Sequence, residues 1–296
     1  MKKKTISLLF VLLFVVLTGC RNDQQTEAKT AVTVDQYSAT QLKEKGFLYF
    51  DSYEKEGQLR KTETLFGKTW NMSYSTTLKS NYLPCEMDMY TYNSSAQDFV
   101  FVATQYRTDT GGIVKYSINP SPETYEGSSI NSDSSEEAIV SYAKNVLFDV
   151  TGESTDGWNV RIQETRFPYY TPQKMGPLYA RGYTVTFFKT IGGVERADSM
   201  YVQMTDAGEI VELNAIHFDD CFTPFKNVNL DVEAIKRTAT DAFSKDASGR
   251  WNYEISNIDV SLYVSGDSLW ALVQITYQTG EAYGGVEYSI EVARLE

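Results

Sequence analysis

The chain has a single histidine, His217, and only three cysteines, Cys20, Cys85 and Cys221. This scarcity narrows the chemistry available. Any Ser-His-Asp or Cys-His arrangement, and any multi-histidine metal site, would have to centre on His217. Calcium loops of the form Asp-x-Asp-x-Asp-Gly are missing. Two Ser-x-x-Lys matches occur, Ser52 with Lys55 and Ser141 with Lys144, but no Lys-Thr-Gly string completes that catalytic set. Positive charge is also short: 27 Lys and Arg stand against 39 Asp and Glu, a formal charge of −12. Such a surface repels nucleic acid, anionic lipid and anionic wall polymers. Beyond Leu17 no long apolar run occurs.

One such run opens the chain. Lys2, Lys3 and Lys4 precede Ile6 to Leu17, which is apolar apart from Ser7. A spanning helix needs about 20 apolar residues, so this layout reads as a secretory signal peptide. Leu17-Thr18-Gly19-Cys20 resembles the lipobox of bacterial lipoproteins. The resemblance implies that the Cys20 thiol receives a diacylglyceryl group, that the signal is cut before it, and that the new amine is acylated. Residues 1–19 are then the signal and 20–38 a polar, lipidated tether. The expected location is the cell membrane, facing the extracellular or periplasmic side. Buried acyl chains contribute about 0.8 kcal/mol per methylene, and two chains suffice for stable anchoring. Cleavage would remove three lysines and no acidic residue, making the charge more negative. Cys85 and Cys221 would remain as an even pair in an exported chain, either a disulfide or two buried thiols.

Residues 39–128 are rich in Tyr, Thr, Phe and Val, and read as a β-rich N-terminal region. Its clearest element is a hairpin from Phe99 to Ile118 around Asp109-Thr110-Gly111-Gly112. Residues 129–228 and 229–296 read as two related units. Ser134-x-x-Glu137 is a capping box. After it, Ala138, Ile139, Tyr142, Ala143, Val146 and Leu147 recur at helical spacing. Asp231 is placed to cap a second helix, with Ala234, Ile235, Ala239, Ala242 and Phe243 on one side. Strands follow each helix, beginning at Trp158-Asn159 and Trp251-Asn252. In the second set, Tyr253 and Ile255 have the opposite parity to Ile258, Val260, Leu262 and Val264, which requires a bulge between them. Gly192-Gly193-Val194-Glu195 recurs as Gly284-Gly285-Val286-Glu287, read both times as a turn. The same order of signals twice argues for duplication.

The helix start, Tyr183-Thr184-Val185-Thr186-Phe187, the Gly-Gly turn and the segment Met204 to Leu213 together resemble bacterial PepSY-like domains. That resemblance implies a cystatin-like helix on an antiparallel sheet. The expected fold class is therefore α+β, with tandem PepSY-like units at 129–228 and 229–296. It also implies non-catalytic roles, inhibiting or chaperoning peptidases or sensing at the envelope.

Two local strings are candidates for chemistry or binding. Strand alternation through His217-Phe218-Asp219-Asp220-Cys221 would bring His217, Asp219 and Cys221, three ligand types, to one face. A solvated strand end is the competing reading. Arg166 to Pro172 reads as a loop whose Phe167, Tyr169 and Tyr170 rings either grip a peptide or sugar or cap the sheet. The function expected is a non-enzymatic, lipid-anchored envelope protein that binds a protein or peptide partner. A surface glycan-binding lipoprotein is the alternative. No cofactor or metal is expected.

Overall fold

The computed structural model describes residues 16–17, 50–57, 59–80, 85–93, 100–119, 130–171, 174–247 and 252–295. Cys20, the tether and Trp251 lie outside them. The chain begins with β1 (Val16–Leu17), β2 (Phe50–Tyr53), β3 (Arg60–Leu65), β4 (Lys68–Ser80) and β5 (Met87–Asn93). Next come β6 (Phe101–Arg107), β7 (Ile113–Ile118), α1 (Glu136–Thr151), β8 (Asn159–Thr171) and β9 (Lys174–Phe188). Then follow β10 (Thr190–Ile191), β11 (Val194–Arg196), β12 (Met200–Thr205), β13 (Ile210–Asn214) and the short α2 (Asp219–Phe222). The chain closes with α3 (Val232–Ala247), β14 (Glu254–Ser265), β15 (Ser268–Thr279) and β16 (Ala282–Arg294).

Two compact units result. One comprises Phe50–Lys189 with Asp198–Asp219, and the other includes Thr190–Ala197 and Asp220–Glu296. In the first, the strand order is β2-β4-β5-β6-β7-β13-β12-β9-β8, with β3 on β4. β7 pairs antiparallel with β13, Tyr116 opposite Leu213. The strands of 39–128 therefore share one sheet with β8, β9, β12 and β13 of 129–228. α1 lies on this sheet and buries Ile139, Ala143, Val146 and Leu147 against Val102, Tyr116, Val185, Phe187, Met200 and Val202. Its start is one residue later than the capping box implies. Ser135 is the cap, accepting from the Ala138 N–H at 3.3 Å, and Ala138 is exposed. Gly152, at φ 76°, ends the helix with its N–H on the Phe148 carbonyl.

In the second unit the strand order is β1-β16-β15-β14-β11-β10. Asp231 accepts from the Ala234 N–H at 2.9 Å as α3 begins. Ile235, Ala239, Ala242 and Phe243 pack on Leu262, Leu269, Ala271, Val273 and Ile275. The β14 register shifts between Ile255 and Asn257, where the change of parity required a bulge.

The α+β expectation of tandem helix-on-sheet units is corrected by this architecture. The molecule is dominated by strands in two mainly antiparallel sheets, with 16-residue helices only at α1 and α3 among the described residues. The repeated Gly-Gly-Val-Glu strings differ in structure. Gly192 and Gly193 form the β10–β11 turn, both with positive φ, and β11 then pairs in parallel with β14 of the second unit. Gly284 and Gly285 lie inside β16, opposite Tyr277 and Thr276. A Cβ on Gly284 would sit 2.5 Å from the Tyr277 ring, so this glycine makes room for an aromatic rather than for a turn.

Burial of tyrosines couples stability to alkaline pH. The phenols of Tyr106 and Tyr201 in the first unit and Tyr263 in the second are all pushed up, chiefly by burial. An unfolded tyrosine titrates near pH 10. A folded value above that favours the folded state fully below about pH 10, and the contribution is lost as pH rises beyond it. An alkaline absorbance titration should show these tyrosines ionising after the exposed ones. Urea midpoints should fall in the same interval. Ionisation of all tyrosines together near pH 10 without unfolding would contradict their burial.

Candidate functional site

A recess bounded by regular structure runs between α1 and β8. Its apolar lining is Val140 from the helix and Val160 and Ile162 from the strand. Polar side chains of Glu136, Glu137, Ser141 and Lys144 complete it, around a volume of about 540 Å³. Its origin is in the sequence. Trp158, Val160 and Ile162 alternate towards the core side of β8, and Val160 stands opposite Phe187 on β9. β8 is the last strand of the sheet order, so this end of the apolar face extends past the helix and leaves Val160 38% exposed. Glu136 and Glu137 occupy the first turn of α1, where the helix dipole favours negative charge. The Glu137 carboxyl is held below the usual carboxylate range by a backbone N–H and the Ser135 hydroxyl. The groove thus joins an apolar strip, an acidic rim and an edge strand.

Ser141 and Lys144, singled out by the Ser-x-x-Lys spacing, both lie on the α1 side of this groove. The other match is taken up structurally: Lys55 is bound to Asp88 at 2.7 Å.

The aromatic segment is not a loop. Arg166 to Thr171 is the end of β8, with Phe167 opposite Ala180 and Tyr169 opposite Leu178 on β9. Phe167 is 5% exposed and close to Gly182, where a Cβ would lie 2.7 Å from Phe167 Cε2. The Phe167, Tyr169 and Tyr170 binding loop is therefore corrected to the end of a strand, paired at Phe167 and Tyr169 and shifted in register at Tyr170, with Phe167 serving the packing.

The His217 string is not a strand either. β13 stops at Asn214 and the chain becomes helical at Asp219, so alternation does not apply there. His217 Nε2 lies 3.0 Å from Glu153 Oε2, and Trp158 meets the imidazole edge to face at 5.6 Å. Asp219 pairs with Lys189, whose ammonium lies 4.5 Å above Trp158. Among the described residues no group of three or more His, Cys, Asp or Glu side chains is arranged to hold a metal ion.

His217 also borders a second recess of about 300 Å³, together with Cys85, Arg107, Thr110, Glu153 and apolar Met87, Val114, Ile216 and Phe218. Arg107 is occupied here, forked onto Asp109 at 3.0 and 2.8 Å, and holds that carboxyl at about 2. Burial pushes the Cys85 thiol up, against the smaller opposing pull of Arg107. A nucleophilic cysteine needs the reverse. Cys85 and Cys221 are both half-buried and not disulfide-bonded. Of the two alternatives for this pair, a disulfide or two buried thiols, the structure has the second.

Sequence reasoning missed the groove. Val140, Val160 and Ile162 were legible as helix and strand residues, but their meeting at a sheet edge depends on the strand order. No protein-family model and no curated protein matches the chain. A solved structure similar to it is an uncharacterized protein from Eubacterium rectale ATCC 33656, with 9% sequence identity over 81% of this chain and 76% of that one, at a TM-score of 0.35.

Proposed function

We propose that the chain is a non-catalytic, lipid-anchored envelope protein that binds a protein or peptide partner. The observation that carries this reading is the groove between α1 and β8, with its exposed apolar strip and acidic rim. The groove offers both apolar contact and placed polar groups to a chain lying in it, and a chain held at the membrane by lipid meets its partners at the envelope surface. Leu17-Thr18-Gly19-Cys20 supports the anchor.

The binding test uses immobilised peptides tiled from envelope proteins, probed with the full chain and with Val140→Glu and Val160→Glu variants. A subset of peptides should bind, and each variant should weaken that binding about tenfold or more, equivalent to about 1.4 kcal/mol. Peptides held equally by all three proteins would place recognition elsewhere. The anchor has its own test. Cys20→Ala should lose all labelling by a lipid precursor and be released from membranes, whereas undiminished labelling would remove the lipobox reading.

A further inference from the structure

We infer that the partner segment binds as an added strand on the outer edge of β8, and that it is an extended, basic chain alternating with small apolar residues. This inference rests on the groove being the binding site and deepens that reading.

The edge is long and, among the described residues, pairs on one side only. β8 runs from Asn159 to Thr171 and its partner is β9, at the end of the sheet order. In an antiparallel ladder every second residue turns its N–H and C=O away from the existing partner. Along β8 those groups form a template for another chain. Natural sheets usually blunt such an edge with brevity, proline or charge. Here the proline, Pro168, stands towards the β8–β9 hairpin, which leaves Asn159 to Phe167 able to pair throughout. Two of the three charges on this stretch are engaged within the sheet, and the third, Arg166, stands at its hairpin end. Arg161 lies over the Phe188 ring at 5.1 Å, and Glu164 accepts from Arg181 at 3.0 Å.

Side chains supply the selectivity. A strand beside β8 would send alternate residues to the same face as Val160 and Ile162, into the groove. There they meet Val140, the carboxylates of Glu136 and Glu137 at the start of α1, and the Lys144 ammonium two turns further on. Valine-sized residues suit the apolar strip, and lysine or arginine suits the Glu136–Glu137 end of the rim. An acidic chain would face those two carboxylates and the −12 charge of the whole protein. This combination, main-chain pairing for affinity and alternate side chains for specificity, is the general mode of strand addition.

The test uses the full chain in neutral detergent with a short peptide of alternating lysine and valine. Its controls are a glutamate–valine counterpart and two lysine–valine versions N-methylated on opposite sets of alternate residues. The basic peptide should bind at least about tenfold more tightly than the acidic one, and Glu136→Gln with Glu137→Gln should erase the difference. One N-methylated version should lose binding and the other keep it, because only one set of amides faces β8. Bound peptide should slow hydrogen exchange at backbone amides between Asn159 and Phe167. Binding that is lost in Val160→Glu but tolerates both methylation patterns, with β8 exchange unchanged, would overturn strand addition while leaving the groove as the site. Equal binding of the acidic and basic peptides would overturn the charge selectivity. If neither these peptides nor the tiled set bind, both the inference and the groove reading fail.

Discussion

Gly182→Ala is expected to destabilise the unit of Phe50–Lys189 and Asp198–Asp219 more than any other single methyl addition to its sheet. Gly182 sits in β9 between two neighbours, opposite Thr165 on β8 and Thr205 on β12. A Cβ there would fall 2.1 Å from the Met204 carbonyl oxygen, 2.7 Å from Thr205 Cα and 2.7 Å from Phe167 Cε2. Two of the three are backbone atoms of a paired strand, which cannot rotate aside as a flexible side-chain end can. The β9–β12 ladder must separate locally. Overpacking in a core costs about 1–3 kcal/mol and sometimes more, and backbone obstruction places this substitution at the upper end. Typical total stability is only about 5–15 kcal/mol. Urea unfolding should show a large drop in midpoint, with β9 amides losing exchange protection. Gly193→Ala is the contrasting variant, since a Cβ there meets nothing within 4 Å and only the backbone at φ 82° resists it. A Gly182→Ala midpoint equal to wild type would show that the three strands do not approach as described.

Phe187→Ala is expected to cost about 3–5 kcal/mol, the range for deleting a buried aromatic. Phe187 is 0% exposed and lies in β9 between Val160 on β8 and Met200 on β12. It belongs to the cluster that holds Ile139, Ala143 and Leu147 of α1. Removing the ring takes away support from both walls of the groove. Stability and peptide binding should therefore fall together, and Phe187→Leu should recover part of each. Phe148→Ala offers a control on the same helix. That ring is 58% exposed, and its loss should change stability by less than about 0.5 kcal/mol. Comparable losses for Phe187→Ala and Phe148→Ala would contradict the core described for this unit.

Several elements were legible because their causes are local. The stripe Ile139, Ala143, Val146 and Leu147 needs only the helical period, and Asp231 needs only the N–H three residues on. The Asp109–Gly112 hairpin and the β14 bulge follow from turn residues and from a change of parity. Each is decided within a few residues by dihedral preference and hydrogen-bond reach. The acidic balance, the single histidine and the Leu17-Thr18-Gly19-Cys20 string are likewise properties of the chain alone.

Tertiary structure decided the remainder. Gly-Gly-Val-Glu is the same string at 192–195 and 284–287, yet one copy turns and the other lies flat beneath Tyr277, because long-range pairing sets the conformation of a glycine that local sterics leave open. Phe167, Tyr169 and Tyr170 carry the composition of a loop, but Phe167 and Tyr169 are taken up by the ladder to β9 and Tyr170 sits at a register shift within it. The joining of β7 to β13 brings residues of 113–118 beside those of 212–214, which no local pattern specifies. Sequence by itself thus determined the starts of the two long helices to within a residue, the Asp109–Gly112 turn, the charge and the scarcity of catalytic side chains. Strand order alone decided that β8 is an edge and that Val160 remains open beside α1. The physical reason is that a strand's alternation marks which face is apolar, while the neighbour that covers its edge is chosen by the whole sheet.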